Sequence, residues 1–136
     1  MDKAQALHSF WSGFGLKAYD ENTVPDDALL PYITYDVATD SFEKRVSLSA
    51  SLWYRDTSWK RITQKANEIE RRIGEHGWQL LKIDNGKVWI MKGSPFYSRM
   101  GDPDDSIRRI VINIEVKYIS TIFLYKLTFI HYNHPL

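Results

Sequence analysis

An α+β fold is the class that this chain of 136 residues predicts. Three observations support it. Apolar and polar residues alternate along residues 46–54, which is the period of a half-buried strand. Apolar residues recur every three or four positions along residues 58–73, as on the buried stripe of a helix, at Trp59, Ile62, Ala66, Ile69 and Ile73. The pair Asn85-Gly86 separates two further strand-like runs, as in a β-hairpin.

Length and composition indicate a single domain, residues 1–136, that folds without disulfides. The chain has no cysteine, which excludes a thiolate metal site and a cysteine nucleophile. It carries 18 basic and 17 acidic residues, and this balance argues against a dedicated nucleic-acid binder. No run reaches the roughly 20 uncharged apolar residues of a membrane helix, so we expect no membrane contact. The aromatic content of 14% favours protein–protein contacts in addition to a core.

The first third of the chain predicts one helix and one strand. Residues 2–11 form the helix, because Ala4, Leu7, His8 and Trp11 share one face. Residues 19–31 are acidic and contain prolines, which indicates a loop. A strand over residues 32–39 follows, and residues 40–44 turn into the next strand.

The middle of the chain predicts a long strand followed by an amphipathic helix. The strand begins at residue 45, and the helix spans residues 58–73. Thr57 or Ser58 is placed to cap the start of the helix, because its hydroxyl can accept a bond from a first-turn N–H. Gly74 is placed to end the helix in the left-handed conformation.

The last part predicts a hairpin, a long loop and a final strand. Residues 80–83 and 87–91 flank the Asn-Gly turn, and residues 93–106, with two prolines, form the loop. Residues 107–118 alternate strictly and form the last strand. Residues 119–136 are apolar on both faces. They form either an added buried strand or an arm exchanged between subunits, since such a strand must be covered on both sides or paired with another chain.

These elements predict one twisted, mostly antiparallel sheet with two helices packed on one face. The other face would carry the serines of residues 47–51 and Trp53, and would be free to meet a neighbouring subunit.

Five motifs stand out between residues 10 and 118: PYITY (31–35), SLW (51–53), TSW (57–59), KVWIMKGSPF (87–96) and RMGDPDDSIRRIVINIEVKY (99–118). Together they resemble small virion proteins of long-tailed phages that infect Gram-positive bacteria. Such proteins are often called minor capsid proteins and are similar to tail terminators.

The resemblance implies a tail-terminator-like fold and a structural role in the virion. Such a protein forms a ring, most often a hexamer, that caps the tail tube, stops its polymerisation and docks to the head connector. The implied partners are other copies of the chain, the major tail tube protein and the head connector or a head-completion protein. Genomic DNA would be only passing cargo. The expected location is the tail or neck of the virion, after assembly in the host cytoplasm.

Seven residues are predicted to form a subunit or tube interface, because aromatic, Met and Arg side chains are enriched in interface cores. They are Trp53, Arg61, Pro95, Phe96, Arg99, Met100 and Asp102. The ring contacts are expected on the predicted loops 93–106 and 19–31.

The sequence contains no catalytic motif, so we expect no enzyme activity, no cofactor and no metal. No serine lies in a Gly-x-Ser-x-Gly elbow, for example. Two alternatives to a terminator stay open. One is a head-completion or head–tail joining protein, and the other is a small α+β nucleic-acid-binding module that uses the sheet face around Trp53. The near-zero net charge predicts only weak binding to duplex DNA.

Overall fold

The computed structural model describes residues 1–37, 44–74 and 78–120. In chain order the elements are α1 (Lys3–Ser12), β1 (Lys17–Asp20), β2 (Tyr32–Tyr35), β3 (Arg45–Arg55), α2 (Lys60–Ile73), β4 (Trp78–Ile83), β5 (Gly86–Met100) and β6 (Ile107–Ser120).

The strands form one six-stranded sheet in the order β1-β2-β3-β6-β5-β4. β1 runs parallel to β2, and every other neighbouring pair is antiparallel. The predicted α+β class with a mostly antiparallel sheet is therefore confirmed. The central pair, β3 and β6, is long and in continuous register from Arg45↔Lys117 to Arg55↔Ile107.

One face of the sheet forms the core together with both helices. Its inward positions on β3 and β6 pair directly, as in Leu52↔Ile110 and Ala50↔Ile112, and all four residues are buried. Both helices add to the same buried cluster, α1 through Ala6, Leu7, Phe10 and Trp11, and α2 through Ile62, Ala66, Ile69 and Ile73. Both helices thus cover the same face, as predicted.

The sheet curls around α1, because this helix contacts both edge strands, β1 and β4. The start of the chain is held to the β4–β5 turn. The amino group of Met1 forms an ion pair with Asp84, and the Asp84 N–H donates to the Met1 carbonyl (2.9 Å). Asp2 and Gln5 form a reciprocal capping box at the start of α1.

The ends of α2 differ from the prediction. The N-cap is Trp59 without a side-chain bond, and α2 begins at Lys60, not at residue 58. The Ser58 hydroxyl still accepts a bond from the Lys60 N–H (3.0 Å), while Asp56 holds the Ser58 N–H (3.0 Å). The N–H groups of Ser58 and Lys60 are therefore bonded within the turn, and the helix begins only after it. Gly74 ends α2 with a positive φ of 96°, but its ψ of 171° is extended instead of left-handed helical.

The predicted loop over residues 93–106 is wrong, because β5 continues to Met100 and leaves only residues 101–106 as a connection. The strand passes Gly93 and Pro95 through a register shift between Lys92 and Tyr97. A Cβ at Gly93 would lie 2.7 Å from the Asn113 carbonyl oxygen, so this glycine permits close approach to β6. Gly93 and Pro95, which suggested a loop, instead lie at an irregularity inside a long strand.

The predicted loop over residues 19–31 is also too long. Tyr19 and Asp20 belong to β1, which pairs with β2 along its whole length. Four residues are too few to show a period, so only the tertiary pairing reveals this strand. β2 itself ends at Tyr35 instead of residue 39. Residues 38–39 of the predicted strand, and residues 121–136 of the predicted C-terminal strand or arm, lie outside the described residues.

Candidate interaction surfaces

The sheet register places five residues in one row across β1, β2, β3, β6 and β5. Lys17 pairs with Tyr32, Tyr32 with Trp53, Trp53 with Arg109, and Arg109 with Met100. Paired residues on neighbouring strands project from the same side of a sheet. The row therefore lies on the face opposite the helices, which we call the outer face. It brings together two predicted interface residues, Trp53 and Met100, that are distant in sequence.

Neighbouring polar groups fix the orientation of Trp53. The Arg109 guanidinium carbon lies 4.6 Å from the centroid of the Trp53 ring. The indole N–H of Trp53 donates to Thr34 Oγ1 (2.9 Å), and Arg109 Nε donates to Ser51 Oγ (3.1 Å). Thr34 and Ser51 are only 9% and 6% exposed, so these bonds satisfy buried hydroxyls on an otherwise open face.

A second surface lies at the end of the sheet where β3 and β5 end and α2 and β6 begin. Its centre is Trp59, which is half-buried. The guanidinium carbons of Arg99 and Arg108 lie 4.8 Å and 5.3 Å from the centroid of the Trp59 ring. We call this surface the arginine end and define it by Trp59 with Arg55, Arg61, Arg99 and Arg108.

Backbone carbonyls hold Arg108 in place. Its Nη1 donates to the Asp105 carbonyl (2.8 Å), and its Nη2 donates to the Thr57 carbonyl (2.8 Å). These bonds join the connection 101–106 to the start of α2. Within the described ranges, no carboxylate lies within 4 Å of the guanidinium groups of Arg99 and Arg108. Both arginines thus retain unneutralised charge at this surface.

Asp56 fixes Arg61 at the same end. It accepts bonds from the Ser58 N–H (3.0 Å) and from Arg61 Nε (2.9 Å), and these bonds, the Ser58 bond first, lower the pKa of the Asp56 carboxyl. Arg61 Nη2 also donates to the Arg55 carbonyl (3.0 Å). Arg61 is therefore positioned by the end of β3 and by the connection between β3 and α2.

The connection 101–106 is an ordered acidic turn. Asp102 Oδ1 accepts the Asp104 N–H (2.9 Å), and Asp104 Oδ1 accepts both the hydroxyl (2.7 Å) and the N–H (2.8 Å) of Ser106. The Ser106 hydroxyl is the main cause that lowers the pKa of Asp104. Arg55 Nη1 donates to the same hydroxyl (2.9 Å). Asp102 therefore stabilises the turn, and its side chain is only half-exposed.

The structure brings together some of the predicted interface residues and separates others. Arg61, Arg99, Met100 and Asp102 lie at or beside the arginine end, and Met100 is 42% exposed. Phe96 is half-buried and packs against the core.

Pro95 lies further along the sheet, where its carbonyl accepts a bond from Asn113 Nδ2 (2.9 Å). Trp53 lies on the outer face, as described above. The seven residues thus belong to more than one surface.

Sequence reasoning missed the contact of Trp59 with two arginines. The sequence places Trp59 on the buried stripe of α2, and the ring does pack against the core, but it is only partly buried and Arg99 and Arg108 lie against it. Arg108 shares the inward alternation of Ile110 and Ile112. The signal available in the sequence was that Arg108 is a charged residue at an inward, otherwise apolar position of the strand.

The remaining observations concern metals, membranes and relatives. The described residues contain no group of three or more His, Asp or Glu side chains placed to hold a metal ion. Neither of the two described helices is long and apolar enough to span a membrane. No protein-family model matches this chain, and the search of curated proteins found no match.

Proposed function

We propose that this protein is a structural component of a long-tailed phage virion, a ring-forming tail terminator that caps the tail tube and joins it to the head connector. The observation that carries the proposal is the arginine end. There Arg99 and Arg108 lie against the Trp59 ring, and Arg61 and Asp102 lie at the same end of the sheet. The motifs between residues 31 and 118 that resemble neck proteins support the same role.

A closed ring needs heterologous contacts, in which one patch on each subunit fits a different patch on the next. Trp and Arg are among the residues most enriched at positions that dominate binding energy, so Trp59, with Arg99 and Arg108 against its ring, suits the centre of such a patch. The unneutralised guanidinium groups favour an acidic partner surface.

The β1–β2 connection supplies such an acidic surface on the same chain. Glu21, Asp26 and Asp27 are exposed there, and within the described residues none of them lies within 4 Å of a basic group. In the proposed ring, this connection of one subunit meets the arginine end of the next.

The first test changes the arginine end in a phage whose genome encodes this chain. Arg99→Glu with Met100→Asp reverses one charge and removes one exposed apolar side chain. Phe96 is left unchanged, because it packs against the core and its loss would disturb the fold. We expect overlong tails in electron micrographs, since the tube would lack its cap.

The matched control is Lys82→Glu with Leu80→Asp. Both residues are exposed on β4, which pairs with residues 86–91 at the opposite end of β5 from Met100, and the change in charge is the same. We expect tails of normal length. Normal tails from the arginine-end variant as well would contradict the ring contact.

Charge exchange tests the pairing directly. Adding Asp26→Arg and Asp27→Arg to Arg99→Glu should restore tail length, because the opposite charges would again face each other. Failure of this rescue, with both single-surface variants defective, would reject the acidic connection as the partner patch.

Deletion of the gene tests the function itself. A terminator predicts tails of uncontrolled length. Tails of normal length that lack heads would instead identify a head–tail joining protein. Normal, infectious particles would reject a role in the neck altogether.

A further inference from the structure

Charge is unevenly distributed between the two faces of the sheet. Basic residues occupy outward positions on five of the six described strands: Lys17, Arg45 and Arg55 on β1 and β3, and Lys82, Lys87, Arg109 and Lys117 on β4, β5 and β6. Among the outward positions of the described strands, Glu115 is the only carboxylate, and it pairs with Arg45 (3.3 Å). The outer face is therefore strongly cationic, although the whole chain has a net charge of only +1.

The compensating acidic residues lie largely in the connections. Glu21, Asp26 and Asp27 follow β1, and Asp104 and Asp105 precede β6. Within the described residues, no carboxylate lies within 4 Å of the amino groups of Lys82, Lys87 or Lys117. The field of the outer face is thus not cancelled locally.

Aromatic rings lie among these cations. The Tyr19 and Tyr32 rings meet edge to face with centroids 5.6 Å apart, and Tyr32 neighbours Trp53 in the row described above. At the opposite edge of the same face, the Trp78 and Trp89 rings meet edge to face with centroids 6.0 Å apart. Trp78 is 43% exposed, so its ring is open to a flat ligand.

We propose that the outer face binds single-stranded nucleic acid, with the phosphodiester backbone along the basic side chains and bases against the aromatic rings. Basic side chains displace counterions from phosphates, and open rings stack on bases. A duplex offers phosphates but keeps its base faces stacked inside, so the aromatic rings favour a single strand. This inference rests on the outer face alone and does not depend on the proposed ring.

The test measures binding of a fluorescently labelled oligothymidylate, and of a duplex of the same length, to the full chain. We expect tighter binding of the single strand, and affinity that falls as salt rises. Lys87→Gln with Lys117→Gln should weaken binding about fivefold or more at low salt and reduce the log–log salt slope by about 1.4. Trp78→Leu should also weaken it about fivefold or more, because one stacking surface is lost.

The matched control is Lys60→Gln with Arg71→Gln, which removes the same charge from the exposed side of α2. Its affinity should stay within about twofold of the unchanged protein, and thermal unfolding should verify that all variants fold. Equal weakening by the control would overturn the assignment to the outer face. Equal binding of the duplex would overturn the single-stranded ligand. Competition by polyglutamate of the same length with equal strength would show a surface for acidic proteins and would overturn the nucleic-acid proposal.

Discussion

Arg109 and Trp53 form a cation–π pair across β6 and β3, with the guanidinium carbon 4.6 Å from the ring centroid. The two residues are direct register partners, so the pairing of the central strands creates the contact. Together with the bond from the indole N–H to Thr34, the pair fixes a tryptophan on the outer face.

The first prediction concerns the energy of this pair. A double-mutant cycle with Arg109→Met and Trp53→Leu should give a coupling free energy of about 0.5–1 kcal/mol in urea unfolding, because the site is partly exposed. Lys117→Met serves as the control partner, since it lies eight residues along β6 from Arg109. Its effect and that of Trp53→Leu should add. A coupling indistinguishable from zero for the Arg109 cycle would show that the contact contributes nothing to stability.

The second prediction concerns the core of α2. Ile69 is fully buried, and Ile69→Ala should lower the free energy of unfolding by about 2–4 kcal/mol through lost burial and a cavity. The exposed Gln64 on the same helix provides the control, and Gln64→Ala should change stability by less than about 0.5 kcal/mol. Equal urea midpoints for the two variants would contradict the assignment of this stripe to the core.

The third prediction concerns the β4–β5 turn. Gly86 has a φ of +154°, and a Cβ there would lie 1.8 Å from the Ile119 carbonyl oxygen. Gly86→Ala should therefore destabilise the protein by about 3 kcal/mol, because backbone strain and a backbone clash act together. Gly101 has open space around it, so Gly101→Ala should be nearly neutral. A small thermal shift for Gly86→Ala would refute the close approach of β5 and β6 at this turn.

The fourth prediction concerns alkaline pH. Burial, with a smaller contribution from the charge of Asp36, raises the pKa of Tyr118 to about 12. The folded state therefore favours the neutral phenol, whereas the unfolded chain ionises it near pH 10. Its contribution to stability is present below about pH 10 and is lost as the pH rises towards 12, by up to about 2 kcal/mol.

Tyr118→Phe should flatten this part of the stability curve, measured as the free energy of urea unfolding between pH 9 and pH 12. In an ultraviolet titration, the folded variant should show one fewer tyrosine with a raised pKa than the unchanged protein. An unchanged slope in the variant would mean that Tyr118 ionises as readily in the folded as in the unfolded chain.

The elements with a strong local period were predictable. The alternation of residues 107–118 matches β6, and the apolar stripe through Ile62, Ile69 and Ile73 matches the buried side of α2. The hairpin of β4 and β5 was predictable from Asn85-Gly86, although Ile83 pairs with Gly86, so the turn residues are Asp84 and Asn85 and only Gly86 has a positive φ. These features depend on residues that are close together in the sequence.

The candidate surfaces were predictable only in part. Interface composition pointed to Arg61 and Arg99, which lie at the arginine end, and to Met100, which lies beside it on the outer face. Composition did not reveal Trp59 and Arg108. The position of the Trp59 ring depends on where α2 begins, and its contact with Arg108 depends on which strand packs beside that helix.

The sequence by itself determined the α+β class, the helical and strand periods and a net charge near zero. The tertiary structure decided the strand order, the continuation of β5 past Pro95 and the short parallel strand β1. It also decided that Lys17, Arg109 and Lys117 share one face of the sheet. The physical reason is that register and strand order join residues far apart in the chain, and a net charge counts residues without placing them.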